Sequence, residues 1–403
     1  MEPVRSSISR AAGGLPATFW WLFAGVLVMS LATFVFPFLA LFLRSRGFSV
    51  TQTGLIVALF GVGSVPAGPV AGWFADRVGR RPTLIGALVG AAALTALIAA
   101  LSSPWAIAAA TVLTGAAVHA YWPAANAVVA DVVPPERYDD AYGLMYWERN
   151  AGIAFSFVIG GMLAAGGYSR LFLADAATTL LFAALVWWRL PETHPAGPSA
   201  RRAAPGRGWA AVLADRRLRA LLVLNLAFLL SMFQFLVAVP LVMSRQGIAP
   251  AAYGRAMAVN GLLIVTLQPL SGALTRRRDA ARVLAVAALL VGAGYGAYAY
   301  CGTALEYAAA TAVWSLGEIL ALPTLSSLVA ELSPPDLRGR YQGLLGLSFG
   351  AGLALAPALG GAFLDRLGAQ ALWGATALLS VAVAAGQLAA GRARRTTAIQ
   401  AGG

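Results

Sequence analysis

The 403-residue chain has no lysine, one cysteine, two histidines and only 16 acidic residues. Each shortage excludes something. The lone Cys301 allows no intrachain disulfide, and with His119 and His194 as the only imidazoles there are too few soft ligands for a zinc or iron–sulfur centre, so no metal is expected. No GxxxxGK[ST] loop occurs, so the chain is not expected to couple to ATP by itself, and no cofactor is implied. Charge of either sign is scarce. Charged residues make up 11 % and apolar ones 59 %, against roughly 25 % charged in ordinary soluble domains, and the mean hydropathy is +0.75. A water-soluble fold is hard to sustain on that composition.

What is present is length without charge. A helix needs about 20 apolar residues to cross the hydrocarbon, and the sequence divides into twelve such runs, near 17–43, 52–75, 82–102, 105–130, 141–165, 168–189, 219–243, 254–275, 281–301, 304–330, 339–364 and 369–390. We number them spans 1 to 12. The first is about twice as long as a signal-peptide core and has no convincing cleavage site behind it, so it is expected to remain as a span. The net charge of +13, all of it arginine, lies in short clusters between the runs rather than on a nucleic-acid-binding face, so no nucleic acid is expected as a partner. With both termini cytoplasmic, the inner segments hold 22 Arg, the outer ones hold six, and Arg149 lies inside span 5. That asymmetry follows the positive-inside rule. The one long polar stretch, Pro191 to Arg219, reads as a cytoplasmic linker with a short surface helix at Trp209 to Arg217.

The two sides of that linker are copies of one another. DVVPPERYDDAYGLMYWERNAGIAFSFVIGG, Asp131 to Gly161, returns 200 residues later as ELSPPDLRGRYQGLLGLSFGAGLALAPALGG, Glu331 to Gly361. The same offset pairs Gly47 with Gly247, Gly72 with Gly272 and Pro123 with Pro323. Two homologous apolar halves are a membrane-transporter signature. The expected fold class is therefore an all-α membrane protein of twelve transmembrane helices in two six-helix pseudo-symmetric bundles, residues 1–190 and 219–403, joined by the linker 191–218.

Between spans 2 and 3 lies GWFADRVGRRP, Gly72 to Pro82, a tight cytoplasmic turn carrying one carboxylate and three guanidinium groups. Gly79 permits the turn, Arg77, Arg80 and Arg81 anchor among the headgroups, and Asp76 stands where the carbonyl end of span 2 is already negative. This stretch resembles the loop 2–3 signature of the major facilitator superfamily. Together with the twelve-run pattern, the resemblance covers the whole chain. It implies that Asp76 contacts the start of span 11, residues 336–340, and helps hold one of two access states. In the second half Arg276 stands in place of the aspartate and Arg277 matches Arg77, so the resemblance implies a one-sided switch. The segments Trp314 to Pro323 and Arg338 to Gly343 are similar to those of bacterial exporters in this superfamily, and the chain as a whole resembles its drug–proton antiporter branch. Two departures from that branch are Ser156–Phe157 in span 5, where it carries Gly-Pro, and Thr111 in span 4, where it carries arginine.

Ionisable residues far from the ends of an apolar run mark a functional interior, since each costs roughly 2.5–3.5 kcal/mol to insert. Five qualify: His119, Glu148, Arg149, Asp175 and Glu318. Glu148 and Arg149, about 100° apart on a helix, are each expected to find a partner on a neighbouring span. Asp175 is expected to be structural. The resemblance implies that spans 1, 4, 7 and 10 line a central cavity. Candidate cavity residues on them are Thr33, Phe34, His119, Trp122, Asn126, Asn225, Gln234, Trp314 and Glu318. Glu318, His119 and Glu148 are the proton-coupling candidates, since desolvation lifts a carboxylate toward a working proton affinity.

These observations lead to the expectation of a non-enzymatic alternating-access secondary transporter in the cell membrane. Protons, a small-molecule substrate and the lipid bilayer are its expected partners, and a monomer its expected state. Proton-coupled efflux of an amphipathic or aromatic compound fits an interior of Trp, Phe and Tyr with few charges. A carrier of a small nutrient such as a sugar or amino acid, and a polytopic membrane sensor without transport, stay open.

Overall fold

The computed structural model describes residues 13–193, 209–275, 278–334 and 337–402. No strand occurs among them, and every one of the twelve expected runs is helical. Span 1 is Ala17–Leu31 with Val35–Ser45; spans 2 to 6 are Val50–Arg77, Arg80–Ala100, Pro104–Val132, Tyr138–Ala164 and Tyr168–Arg189. Span 7 is Arg216–Met232 with Ala238–Arg245; spans 8 to 10 are Pro250–Thr275, Ala280–Ala297 and Ala304–Leu332; spans 11 and 12 share Arg338–Gly402. The last pair is broken only at Gly368, whose φ of 82° lies in the left-handed region that a side chain disfavours. Helix is the form that satisfies backbone N–H and C=O groups within one segment where lipid offers no partner. By length and composition eight helices among the described residues can cross a membrane, Arg338–Ala393 among them with two runs inside it. Spans 4, 5 and 8 have spanning length but more polar sequences, and they carry His119, Glu148, Arg149 and Asn260.

Spans 1 and 7, expected to be continuous, are each interrupted near the same place of the repeat, Pro240 lying three residues beyond the counterpart of Pro37. Pro37 and Pro240 are the cause, because each lacks an N–H and its ring clashes with the carbonyl four residues back, at Thr33 and Leu236. Each proline is the third residue of the resumed helix, where its missing N–H costs nothing. The two halves repair the break differently. In span 1 the Asp175 carboxylate accepts from the backbone N–H of Phe34 and of Val35, both at 3.0 Å, which caps the resumed helix. In span 7, where Ala375 takes the place of Asp175, Tyr253 donates to the Phe235 carbonyl at 3.2 Å and Tyr295 to the Met232 carbonyl. The expected surface helix at 209–217 is shorter, Trp209–Ala214, because Asp215 accepts from the N–H groups of Arg217 and Leu218 and starts span 7 there.

Contacts divide the chain into two compact units, residues 1–42 with 59–200, and residues 43–58 with 201–403. In the first, Phe19, Leu22 and Val26 pack with Leu84, Leu88, Tyr121, Val128, Phe182 and Val186 from spans 3, 4 and 6. In lipid such packing is driven by van der Waals contact rather than water exclusion, so close backbone approach matters. Gly63 and Gly115 supply it: a Cβ on either would run into a main-chain carbonyl of the facing span, at Val112 and Phe60. In the second unit the buried Tyr295, Tyr298, Trp314 and Trp373 and the half-buried Phe235 form an aromatic cluster.

Candidate functional site

The loop between spans 2 and 3 is organised by Arg80, buried while Asp76 is 75 % exposed. Its Nε donates to Asp131 at 3.0 Å and its Nη1 to Asp76 at 3.2 Å and to the Ala75 carbonyl at 2.8 Å. Glu192 then covers the start of span 3, accepting from the N–H of Arg80 at 2.9 Å and of Arg81 at 3.1 Å. A carboxylate at those first N–H groups satisfies otherwise unpaired donors and complements the positive helix end. Thr193 adds a bond to Asp131 at 3.0 Å. Gly79, at φ 114°, makes the turn, and a Cβ there would meet the Glu192 carboxylate. Arg77 lies over the Trp73 ring at 4.6 Å, and Arg81 donates to the Trp187 carbonyl. Pro191 to Thr193, expected to be linker, thus closes a charge cluster with Asp131. Neither Glu192 nor Asp131 was among the expected residues; the only hint was an acid just beyond spans 4 and 6. Of the implied partner region of Asp76, Asp336 lies outside the described residues, as do Arg276, Arg277, His194 and most of the linker.

A second group lies on spans 4 and 5. His119 shares a 2.9 Å bond between Nδ1 and the Gly115 carbonyl of its own helix and meets the Phe60 ring edge-on at 5.5 Å; Phe60 in turn stacks on Phe36. Trp122, one turn on, carries the Arg149 guanidinium over its ring at 5.0 Å, so Arg149 does find a neighbouring span. Glu148 does not: it is fully buried, and neither carboxylate oxygen has a hydrogen-bond partner among the described residues. Tyr142 donates to the Asn126 carbonyl at 3.1 Å, while Asn126 Oδ1 is buried without a partner.

The third group surrounds Glu318 in span 10. Asn260 of span 8 donates to Glu318 Oε2 at 2.7 Å and to Ser315 Oγ at 3.0 Å. Asn260 also went unanticipated, although an amide in the middle of an apolar run is itself a signal. The remaining expected cavity residues are mostly packed away. Trp314 is 2 % exposed, with its indole N–H on Tyr298 at 2.8 Å. Asn225 is tied to Ser348 at 2.7 Å, and Gln234 is buried beside the Leu230 and Ala356 carbonyls. Phe34 is buried at the span 1 break, and Thr33 bonds back to Met29. Grooves of about 560 Å³ beside Pro66, Phe74 and Leu113, and about 770 Å³ beside Leu289, Tyr300 and Ala377, contain none of the candidates.

The sequence matches the family model of the Major Facilitator Superfamily over residues 21–344 and again over 221–400, two matches that begin 200 residues apart like the internal repeat. The chain belongs to the major facilitator superfamily. It is accordingly a multi-pass membrane transporter. The transporter is 24 % identical over 355 residues to a Na(+), Li(+), K(+)/H(+) antiporter of Planococcus maritimus, covering 80 % of this chain and 84 % of that one. To the multidrug resistance protein MdtH of Edwardsiella ictaluri it is 27 % identical over 328 residues, with 81 % and 80 % covered. Among solved structures, a point mutant of the nucleoside transporter NupG superposes with a TM-score of 0.80 at 14 % identity, covering 92 % of this chain and 99 % of the other.

Proposed function

We propose that this transporter works by alternating access as a proton-coupled exporter of amphipathic or aromatic small molecules, with Glu318 as the carboxylate that exchanges the proton. The reading places a monomer in the cell membrane with both termini cytoplasmic. The observation that carries it is the Glu318–Asn260–Ser315 cluster in the middle of spans 8 and 10. A single amide donor steadies the ionised carboxylate, and among the described residues no ion pair fixes its charge, so either protonation state is accessible to a group in that setting. Coupling follows when proton and substrate compete for one carboxylate, since only a singly loaded carrier then changes state. The names of the relatives, a cation/proton antiporter and a multidrug resistance protein, support proton exchange and export respectively. Glu148, buried with no hydrogen-bond partner among the described residues for either carboxylate oxygen, is the second coupling position.

The test is flux into proteoliposomes under an imposed pH gradient. Glu318→Gln imitates the protonated state, so uphill transport is lost while exchange or downhill flux continues. A Gln variant that still concentrates substrate with the parent's pH dependence removes Glu318 from the role. Loss of uphill transport in Glu148→Gln alone passes the role to Glu148.

A further inference from the structure

Arg149 is placed where a cation has to be explained. Span 5 runs from Tyr138 to Ala164, which at 1.5 Å per residue puts Arg149 about 16 Å from one end and about 22 Å from the other. That is near the middle of the hydrocarbon, where an arginine calls for a counter-charge or a watery path. Arg149 belongs to none of the ion pairs seen among the described residues, such as Arg80 with Asp76 and Asp131, and Arg137 with Asp140. Its neighbour Glu148 lies within electrostatic range but makes no ion pair with it, because it turns into the protein and is fully buried whereas Arg149 is exposed. What Arg149 has is Trp122, 5.0 Å beneath its guanidinium. Stacking engages the flat face of a guanidinium and leaves its edge, a fork of N–H donors, free for an oxyanion.

Resting on the transport reading above, we infer that Arg149 and Trp122 form an anion-recognising subsite and that the transported compounds are aromatic anions. The surroundings fit such a ligand. His119 lies one turn before Trp122 on span 4 and within electrostatic range of Arg149. A planar ring settles against the indole and the Phe60–His119 edge, and its acid group meets the guanidinium fork. Stacking on Trp122 holds the fork in one orientation, which lowers the ordering cost of binding the anion.

Three isosteric probes separate charge from shape: 1-naphthoate, 1-naphthamide and 1-naphthylmethylammonium. Their binding to purified protein is read in nanodiscs of phosphatidylcholine, with and without a fifth of phosphatidylglycerol, and their flux in matching proteoliposomes. Loss of a charge-assisted pair predicts that naphthoate binds the parent about tenfold more tightly than naphthamide. Arg149→Gln erases that preference while naphthamide binding stays, and Arg149→Lys keeps part of it. A preference that survives Arg149→Gln, tighter binding of the amide or the ammonium by the parent, or no naphthoate binding overturns the assignment. So does Arg149-dependent displacement of naphthoate by phosphatidylglycerol, which gives the cation to a lipid headgroup. Naphthoate binding that depends on Arg149 without flux of any probe leaves the subsite standing and counts against transport. Flux of the neutral or cationic probe alone does the reverse.

Discussion

Asp175 shows how a single side chain can be legible as important and illegible in purpose. An acid two turns into an apolar run is conspicuous in the sequence, and a structural role is the natural expectation for it. Its task depends on Pro37, 138 residues away, which breaks span 1 and frees the two N–H groups that the carboxylate accepts. Nothing in local periodicity links the two positions. Helix caps contribute about 0.5–2 kcal/mol, and stranding buried donors costs about 1–3 kcal/mol. Asp175→Ala is therefore expected to destabilise by about 2 kcal/mol or more, and Asp175→Asn by less because the amide keeps one acceptor oxygen. Thermal unfolding in detergent, followed by the monodisperse fraction on gel filtration, should rank the proteins parent, Asn, Ala. Equal midpoints for Ala and parent would show that the capping bonds carry no stability. His119 and Glu318 illustrate the same limit, since both stood out as interior ionisable groups while Asn260, which pairs with Glu318, did not.

At the scale of an element, the loop between spans 2 and 3 was readable as a turn because Gly79 and the arginine cluster are contiguous. Its closure was not, because Asp131 and Glu192 come from the ends of spans 4 and 6 and meet Arg80 only in the fold. The arrangement makes a specific expectation for Asp76. Its ion pair with Arg80 is mostly exposed on the aspartate side, and such pairs contribute about 0–1 kcal/mol, so Asp76→Asn should fold with nearly the parent's thermal midpoint. We propose that the carboxylate biases the equilibrium between access states rather than building the loop. Asp76→Asn should then lower the transport rate while substrate binding in detergent changes by about twofold at most, a small fraction of the tenfold that 1.4 kcal/mol represents. Equal losses of binding and transport, with a normal midpoint, would show that Asp76 acts on the substrate site instead.

For the whole molecule, the repeat did most of the work, because an offset of 200 residues that aligns prolines and glycines in several separate segments is a property of the entire chain. The breaks of spans 1 and 7 fall near equivalent places of that repeat, but the continuous apolar composition there hid them. Orientation rests on a different physical quantity. Arginine is retained on the cytoplasmic side, and the distribution of 22 inner to six outer residues holds only if the loops alternate as assigned. The sole native thiol is buried, so replacing Cys301 by alanine gives a background in which a single introduced cysteine reports its own side. Ser103, in the turn between spans 3 and 4, is expected outside, and Ser199, in the linker, inside. In intact cells an impermeant maleimide should label Ser103→Cys and spare Ser199→Cys until the membrane is opened. Labelling of both positions in sealed cells would mean that an even number of spans, rather than spans 4, 5 and 6, lies between them, and an inverted pattern would mean that the arginine asymmetry does not set the orientation of this transporter.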